Sequence, residues 1–281
     1  SAVLAGTWGS CFNPGNAHNP FIAKLAGVSV ESVIAGHTLA ALAGAVVTAL
    51  ALTAVAAYLK EHRDYEGPIG VLDNSAEFKV EVIKAIVPVV PLALLVLGSF
   101  SKQISFIPVI SVPQAMIFGV VLGLIVSFKK PDDISKQFFT GMGDAYANVI
   151  GIIIAAAVFN EGMRLIGLTG ALIEAMKQSQ HIAKLAATFG PFVVAILSGS
   201  GDAATLAFNG TITPYAGQFG FSITQMGSQA FLTGALGRSM SPVAGAAIVC
   251  ATLAGVNPIE ITKRNALGMI LTAIVTMLIL L

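Results

Sequence analysis

Apolar positions fall in two kinds of run along this chain. Uninterrupted runs at about 33–58, 83–99, 109–128, 141–163 and 265–281 predict five helices, because a bilayer core takes about 20 apolar residues to cross. Pro88 and Pro91 predict a kink in the second of them. Three other apolar stretches are interrupted by Gly, Pro, Ser and Asn. Residues 1–26 break at Asn13–Asn19. Residues 183–220 break at Ser198–Asp202 and again near Gly210 and Pro214. Residues 226–256 break at Gly237–Pro242. The arm from Lys184 to Ser198 is about 14 residues, or roughly 21 Å of helix, against roughly 30 Å of hydrocarbon. With a returning arm, Ala203–Gly220, it predicts a re-entrant hairpin whose tip is Ser198–Thr205. Non-helical backbone at that depth requires protein or a water-filled cavity around it.

Two of the interruptions are copies of one another. Gly9-Ser10-Cys11-Phe12-Asn13-Pro14, followed by Leu25-Ala26-Gly27-Val28, recurs as Gly237-Arg238-Ser239-Met240-Ser241-Pro242, followed by Leu253-Ala254-Gly255-Val256, at a constant offset of 228 residues. Paired interruptions in two halves of a membrane protein point to a transporter's binding site. Lys and Arg set the orientation. Lys60, Arg63 and Lys79 in one loop and Lys129, Lys130 and Lys136 in another mark the cytoplasmic side, and Lys102 alone lies in the loop between them. Helix 33–58 then runs inward. Helix 265–281, entered from Lys263 and Arg264, runs outward, so the copies are inverted. Arg164, Lys177 and Lys184 are left outside by this scheme. The expected fold is an all-α polytopic membrane protein, an inverted-repeat transporter with discontinuous helices and a re-entrant hairpin. Residues 1–60 would end the first repeat, 61–137 would hold a cytoplasmic loop and two scaffold helices, and 138–281 would form the second repeat. The second copy has a gapped segment ahead of it, 182–220, and the first has none, which predicts a chain truncated at its N-terminus.

Composition agrees. The chain is 56% hydrophobic and 10% charged, with mean hydropathy +0.85, where soluble domains carry about 25% charge. A net charge of +1 argues against a nucleic-acid partner. Cys11 and Cys250 form no metal or CxxC pattern and read as small buried hydrophobes.

The chemistry concentrates at the breaks. In Ser198-Gly199-Ser200-Gly201-Asp202-Ala203-Ala204-Thr205, glycines and small hydroxyls expose backbone N–H and C=O groups where two half-helices meet. Such ends attract anions and cations respectively. Ser198, Ser200 and Thr205 are candidate substrate ligands. Asp202 is a candidate for a proton or coupling ion, and a sodium ion near Gly199, Gly201 and Asp202 is the metal alternative. The plainer reading of Asp202 is a helix N-cap. In the second break Arg238, costly in a membrane, could meet a substrate carboxylate with two hydrogen bonds or pair internally with Asp202 or Asp144. Ser239 and Ser241 flank it. In the first break Asn13 and Asn16 offer amide donors and acceptors, and His18 reads as a hydrogen-bonding member of the cluster rather than a proton shuttle. Gly141–Asn148 is expected to open a helix. Asp144 and Asn148 there share a face, either to bind a coupling ion or, for Asp144, to cap the helix start. Glu161 and Arg164 are expected to pair near an interface.

Gly141-Met142-Gly143-Asp144-Ala145-Tyr146-Ala147-Asn148-Val149, Ser198-Gly199-Ser200-Gly201-Asp202-Ala203 and Leu236-Gly237-Arg238-Ser239-Met240-Ser241-Pro242-Val243, with Val256-Asn257-Pro258 and Lys263-Arg264, resemble the anaerobic C4-dicarboxylate carrier (DcuC) family. The likeness covers 138–281 well and 1–60 more loosely. It implies a multi-pass secondary transporter in a bacterial inner membrane, an elevator-type motion and a homodimer. It also implies exchange of succinate, fumarate or malate, or their symport with a cation. It places substrate or cation around Ser198–Thr205 and Arg238–Pro242. The chain departs from the family at Asn13–Asn19, where members carry a Thr-Ser-Gly-Asp-like run.

The leading expectation is therefore a carrier of small organic anions with no cofactor beyond a coupling proton or sodium ion. The alternatives on the same fold are transport of an amino acid or short-chain carboxylate, or sodium/proton antiport resting on Asp202 and Asp144. An enzyme is not expected. There is no HExxH motif, and His18 and Ser200 lie in opposite repeats with no third catalytic partner.

Overall fold

The computed structural model describes residues 2–60, 81–99, 110–127, 131–177 and 179–281, and these contain no strand. The helices are α1 (Ala2–Cys11), α2 (His18–Ala26), α3 (Val30–Tyr58), α4 (Val82–Ile86), α5 (Val90–Ser99), α6 (Val112–Ser127), α7 (Pro131–Ala145), α8 (Gly151–Leu165), α9 (Leu168–Lys177), α10 (Gln180–Ser198), α11 (Gly201–Thr211), α12 (Ile223–Ser239), α13 (Gly245–Ala254) and α14 (Pro258–Leu280). They fall into two compact units, one of residues 1–60 with 147–281 and one of residues 61–146. By length and composition α3, α10 and α14 can each cross a membrane, and α8 with α9, bent by 78°, can make a fourth crossing. Leu39, Leu50, Leu197 and Leu278 are more than half exposed. Outward-facing leucines of this kind suit a lipid surface, where the solvent is as apolar as the side chain.

In the second unit α4 and α5 are separated by a 3₁₀ turn, Val87–Val89, at Pro88, where the sequence predicts a kink. Gly119 of α6 lets Pro91 of α5 come close, since a Cβ there would lie 2.3 Å from the Pro91 ring. The helix expected to open at Gly141 begins ten residues earlier. Pro131 at its first position and Asp132 and Asp133 in its first turn start α7. It runs through a π turn, Tyr146–Ile150, into α8. Asp144 therefore sits in the last turn of α7 and caps no helix start. It is exposed, and the side chain of Asn148 lies outside the described residues. Arg63, Lys79, Lys102, Lys129 and Lys130, on which the orientation rested, are outside them too.

The first unit repeats its joints, residue for residue. α1 and α12 end at Cys11 and Ser239. α2 and α13 end at Ala26 and Ala254, each followed by a left-handed glycine, Gly27 (φ 67°) and Gly255 (φ 66°). α3 and α14 begin at Val30 and Pro258 behind the N-caps Ser29 and Asn257. Every pair keeps the 228-residue offset seen in the sequence. The repetition extends to the bonds that hold the breaks. A helix end leaves its last carbonyls unpaired. The carbonyl of Cys11 accepts from His37 Nε2 at 3.0 Å, and that of Ser239 accepts from Asn265 Nδ2 at 3.1 Å. His37 and Asn265 are themselves 228 residues apart.

α3 and α14 pack along one another. Thr272 Oγ1 donates to the carbonyl of Gly44 at 3.4 Å and lies 2.8 Å from Thr48 Oγ1. Gly268 closes on Thr48 and Ala51. Positions rise along α3 as they fall along α14, so the two helices are antiparallel. Trp8, Ile22, Phe231, Leu232, Leu236 and Met269 form the core between the broken helices and this pair.

The arm α10 has 19 residues, about 28 Å at 1.5 Å per residue. It is longer than the arm read from Lys184, because the helix starts at Gln180 and continues through Pro191. Its length therefore does not exclude a crossing. The returning arm α11 has 11 residues, about 17 Å, and passes into a 3₁₀ segment, Thr213–Phe219.

Candidate functional site

The first break, between α1 and α2, is shaped by its own asparagines. Asn13 Oδ1 accepts from the Gly15 N–H at 2.8 Å and Asn16 Oδ1 from the His18 N–H at 3.0 Å, the Asx geometry that turns a chain. Asn19 Nδ2 donates to the carbonyls of Cys11 (3.2 Å) and Asn13 (3.0 Å). These bonds fix His18 as the first residue of α2, where it is 2% exposed with its ring 4.7 Å from that of Phe231 on α12.

The hairpin tip is turned by Gly199, at φ 72°, and capped by Ser200, whose Oγ accepts from the Ala203 N–H at 3.2 Å. Ser200, not Asp202, is therefore the N-cap. This leaves the Asp202 carboxylate free to reach across, and its Oδ1 lies 2.8 Å from His18 Nε2. α11 can approach because Gly201 and Gly234 meet. A Cβ on Gly201 would lie 2.7 Å from the Gly234 carbonyl oxygen, and one on Gly234 would lie 2.3 Å from Thr205 Oγ1. In the second break, Ser239 Oγ donates to the Ala235 carbonyl at 3.0 Å and lies 2.7 Å from Thr7 Oγ1 of α1. Around the breaks, side-chain hydrogen bonds thus join the repeats at His18–Asp202 and Thr7–Ser239.

Between them is a cavity of about 360 Å³. Of the residues singled out from the sequence, Asn16, His18, Gly201, Asp202, Thr205, Arg238 and Ser239 line it. Gly6, Thr7, Ser10 and Phe231 line it as well. Asn13, Ser198, Gly199, Ser200 and Ser241 do not. Asn13 and Ser200 are spent on turn and cap, Ser198 Oγ accepts from the Ser200 N–H at 3.2 Å, and Ser241 is fully buried. Asp144 belongs to the other unit. Ser10 could have been found from the sequence, since it is the repeat counterpart of Arg238.

Arg238 is exposed to the cavity and makes no direct ion pair with the described residues, but Asp202, one of its two expected partners, shares the cavity and feels its charge. The partner of Asp202 is His18. The charged lining is thus one guanidinium and one carboxylate, the latter already hydrogen-bonded to a buried imidazole. Hydroxyls of Thr7, Ser10 and Ser239 and the Asn16 amide stand around them. Such a surface has the chemistry to hold a small anion by a charge-assisted contact and several neutral ones. A second cavity, of about 380 Å³ and largely apolar, lies between α8 and α11, with the Glu161–Arg164 pair on its lining. Arg164 Nε reaches Glu161 Oε2 at 2.8 Å, as expected from the sequence.

The profile of the C4-dicarboxylate anaerobic carrier family matches residues 1–281. The chain belongs to this family. It is 39% identical over 277 residues to a protein of Haemophilus influenzae named only as an uncharacterized transporter, covering 93% of this chain and 97% of that one. It is 28% identical over 198 residues to the anaerobic C4-dicarboxylate transporter DcuC of Escherichia coli K12, covering 68% of this chain and 42% of the relative. A probable DcuC of Vibrio cholerae is 25% identical over 230 residues, 73% of this chain and 46% of the relative. The chain thus spans under half the length of these DcuC relatives and nearly all of the Haemophilus protein. No solved structure matches. The family consists of transporters, not enzymes, and the apolar helices make this member a membrane protein.

Proposed function

We propose that this chain is a secondary transporter of small organic anions, with C4-dicarboxylates such as succinate, fumarate and malate as its substrates. The observation that carries the proposal is Arg238, an exposed guanidinium without an ion pair among the described residues, in a cavity built by both breaks and the hairpin tip. An unpaired cation at membrane depth is costly and is explained by a ligand of opposite charge. One substrate carboxylate meets Arg238, and Asn16, Thr205 and Ser239 hydrogen-bond the remainder. The relatives named as C4-dicarboxylate transporters supply the substrate class.

An inverted repeat is the architecture proposed for the motion. It is supported by the antiparallel contact of α3 with α14, its own counterpart, centred on Gly44 and Thr272, which are equivalent positions. A two-fold axis relating the repeats requires such a self-matching contact. The chain acts in a bacterial inner membrane as a homodimer. The cavity crosses on a moving domain that includes the hairpin, and residues 61–137 belong to the static scaffold. Sodium/proton antiport is the weaker reading, because it leaves Arg238 without a role.

Counterflow of radiolabelled succinate in proteoliposomes tests the proposal. Uptake by the wild type that falls to the protein-free rate in Arg238→Ala supports it. Full uptake by Arg238→Ala, or none of succinate, fumarate or malate by the wild type, overturns it.

A further inference from the structure

Polarity changes along one face of α8. Ile153, Ala156, Ala157, Asn160, Glu161 and Arg164 recur at helical spacing and all line the second cavity, of about 380 Å³. The face is apolar at its first end and carries an ion pair at its last, and the 11 residues from Ile153 to Arg164 set the two ends roughly 17 Å apart. Phe21 and Leu25 of α2 and Leu206 of α11 add apolar wall. The Glu161 and Arg164 side chains are 53% and 62% exposed. An exposed ion pair is costly in hydrocarbon, so this end of α8 lies at headgroup level and the apolar end lies deeper. The cavity thus has the polarity gradient of a membrane lipid. We propose that it seats one phospholipid whose headgroup carries a primary ammonium. The phosphate lies on Arg164 and the first turn of α9, the ammonium on Glu161, and an acyl chain against Ile153 and Leu206. This seat shares no lining residue with the cavity at the breaks and stands whatever that cavity transports.

The polar end has the donors that a phosphate needs. The chain turns by 78° between α8 and α9, and Arg164 near the end of one helix and Thr169 at the start of the next both line the cavity. A helix leaves its first N–H groups unpaired, and Gly167 (φ 75°), just before α9, has no side chain to cap them. Thr169, in that first turn, is 6% exposed, and its hydroxyl has no partner among the described residues. A buried hydroxyl left bare is costly, and a phosphate oxygen satisfies it. Arg164 gives Nε and Nη2 to Glu161, which leaves Nη1 for the phosphate. Glu161 selects the headgroup. Its carboxylate repels a headgroup of net negative charge, whereas phosphoethanolamine sets ammonium beside Glu161 and phosphate beside Arg164. A quaternary ammonium has no N–H to offer it. Tyr215, which lines the same cavity, is an amphipathic ring of the kind found at headgroup level. A free phosphate would leave the apolar length of the cavity unused, so the ligand is a lipid.

The test uses the full chain, purified in detergent and stripped of lipid, with phosphatidylethanolamine, phosphatidylcholine and phosphatidylglycerol of matched acyl chains added in turn. Native mass spectrometry reads bound lipid, and the melting temperature reads stabilisation. The wild type is expected to hold one phosphatidylethanolamine about tenfold more tightly than either other lipid, as one charge-assisted hydrogen bond implies, and to melt higher with it. Soluble glycerophosphoethanolamine at the same concentration should leave the melting temperature unchanged. Ala156→Phe, which fills the apolar length, and Arg164→Gln should each lose the bound lipid. Glu161→Gln should lose the preference among headgroups, and Thr169→Val should weaken binding about fivefold. Without lipid, Glu161→Gln and Thr169→Val should melt no lower than the wild type, which shows that they fold. Equal retention of the three lipids by the wild type, the behaviour of lipid held only as a general coat, overturns the proposal. So does phosphatidylethanolamine binding that is unchanged in Glu161→Gln and Thr169→Val, or a soluble headgroup that protects as well as the lipid.

Discussion

Gly9 and Gly237 are the same position in the two repeats, and the structure gives them opposite tolerance for a methyl group. At Gly9 an added Cβ meets nothing within 4 Å. At Gly237 it would lie 2.2 Å from the Phe192 carbonyl oxygen and 3.0 Å from Ala195 Cβ, both on α10. A carbon–oxygen contact settles near 3.3 Å or beyond, so Gly237→Ala must part α10 from α12 by about 1 Å. The obstacle at Phe192 is backbone, with no rotamer to yield. Overpacking of this kind costs ~1–3 kcal/mol. Both substitutions gain the same ~1 kcal/mol of helix propensity, so the difference between the two variants isolates the clash. At about 2–4 °C per kcal/mol for a domain of this size, Gly237→Ala should melt roughly 2–12 °C below Gly9→Ala in detergent micelles. It should also lose succinate counterflow, because Arg238 is the next residue. Equal melting temperatures for the two variants would refute the close approach of α10 and α12.

Three further expectations follow from the same contacts. Asn265→Leu strands the Ser239 carbonyl at the end of α12 and should cost ~1–3 kcal/mol in thermal unfolding; an unchanged melt would show that the carbonyl is satisfied otherwise. Ser200→Ala removes the cap of α11 and should cost ~1 kcal/mol, whereas a change as large as that of Asn265→Leu would mean that Ser200 holds more than the cap. Glu161→Gln breaks an exposed pair with Arg164 and should leave the melting temperature unchanged in low and in high salt; a marked salt-dependent loss would place the pair in a network.

The joints of the fold were legible from the chain because they depend on residues with strong local rules. The left-handed glycines Gly27 and Gly255, the caps Ser29 and Asn257 and the prolines within the breaks, Pro14 and Pro242, are written into the sequence at a constant offset. The start of α7 carries an equally local signal, Pro131 with two aspartates, but polar composition made it read as loop, and Asp144 was misplaced as a result. The link from His18 to Asp202 obeys no local rule. Its partners are 184 residues apart and in opposite repeats, so only the packing of α2 against α11 brings them together. Asn13 and Ser200 have the right chemistry for ligands, yet their side chains are spent on their own backbone, a competition intrinsic to Asn and Ser in turns.

A gap in a helix is commonly taken for a hinge. Here the gap in each repeat is strutted, because the carbonyl just before it is tied to the long helix just after it, by His37 in one copy and Asn265 in the other. Flexing at the gap would first have to break that bond; at Ser239 this strands a buried acceptor at ~1–3 kcal/mol, whereas at Cys11 a second donor, Asn19 Nδ2, remains. On the proposed transport reading, each broken helix is expected to travel with its long helix, and the slack that transport needs is then to be sought elsewhere in the chain.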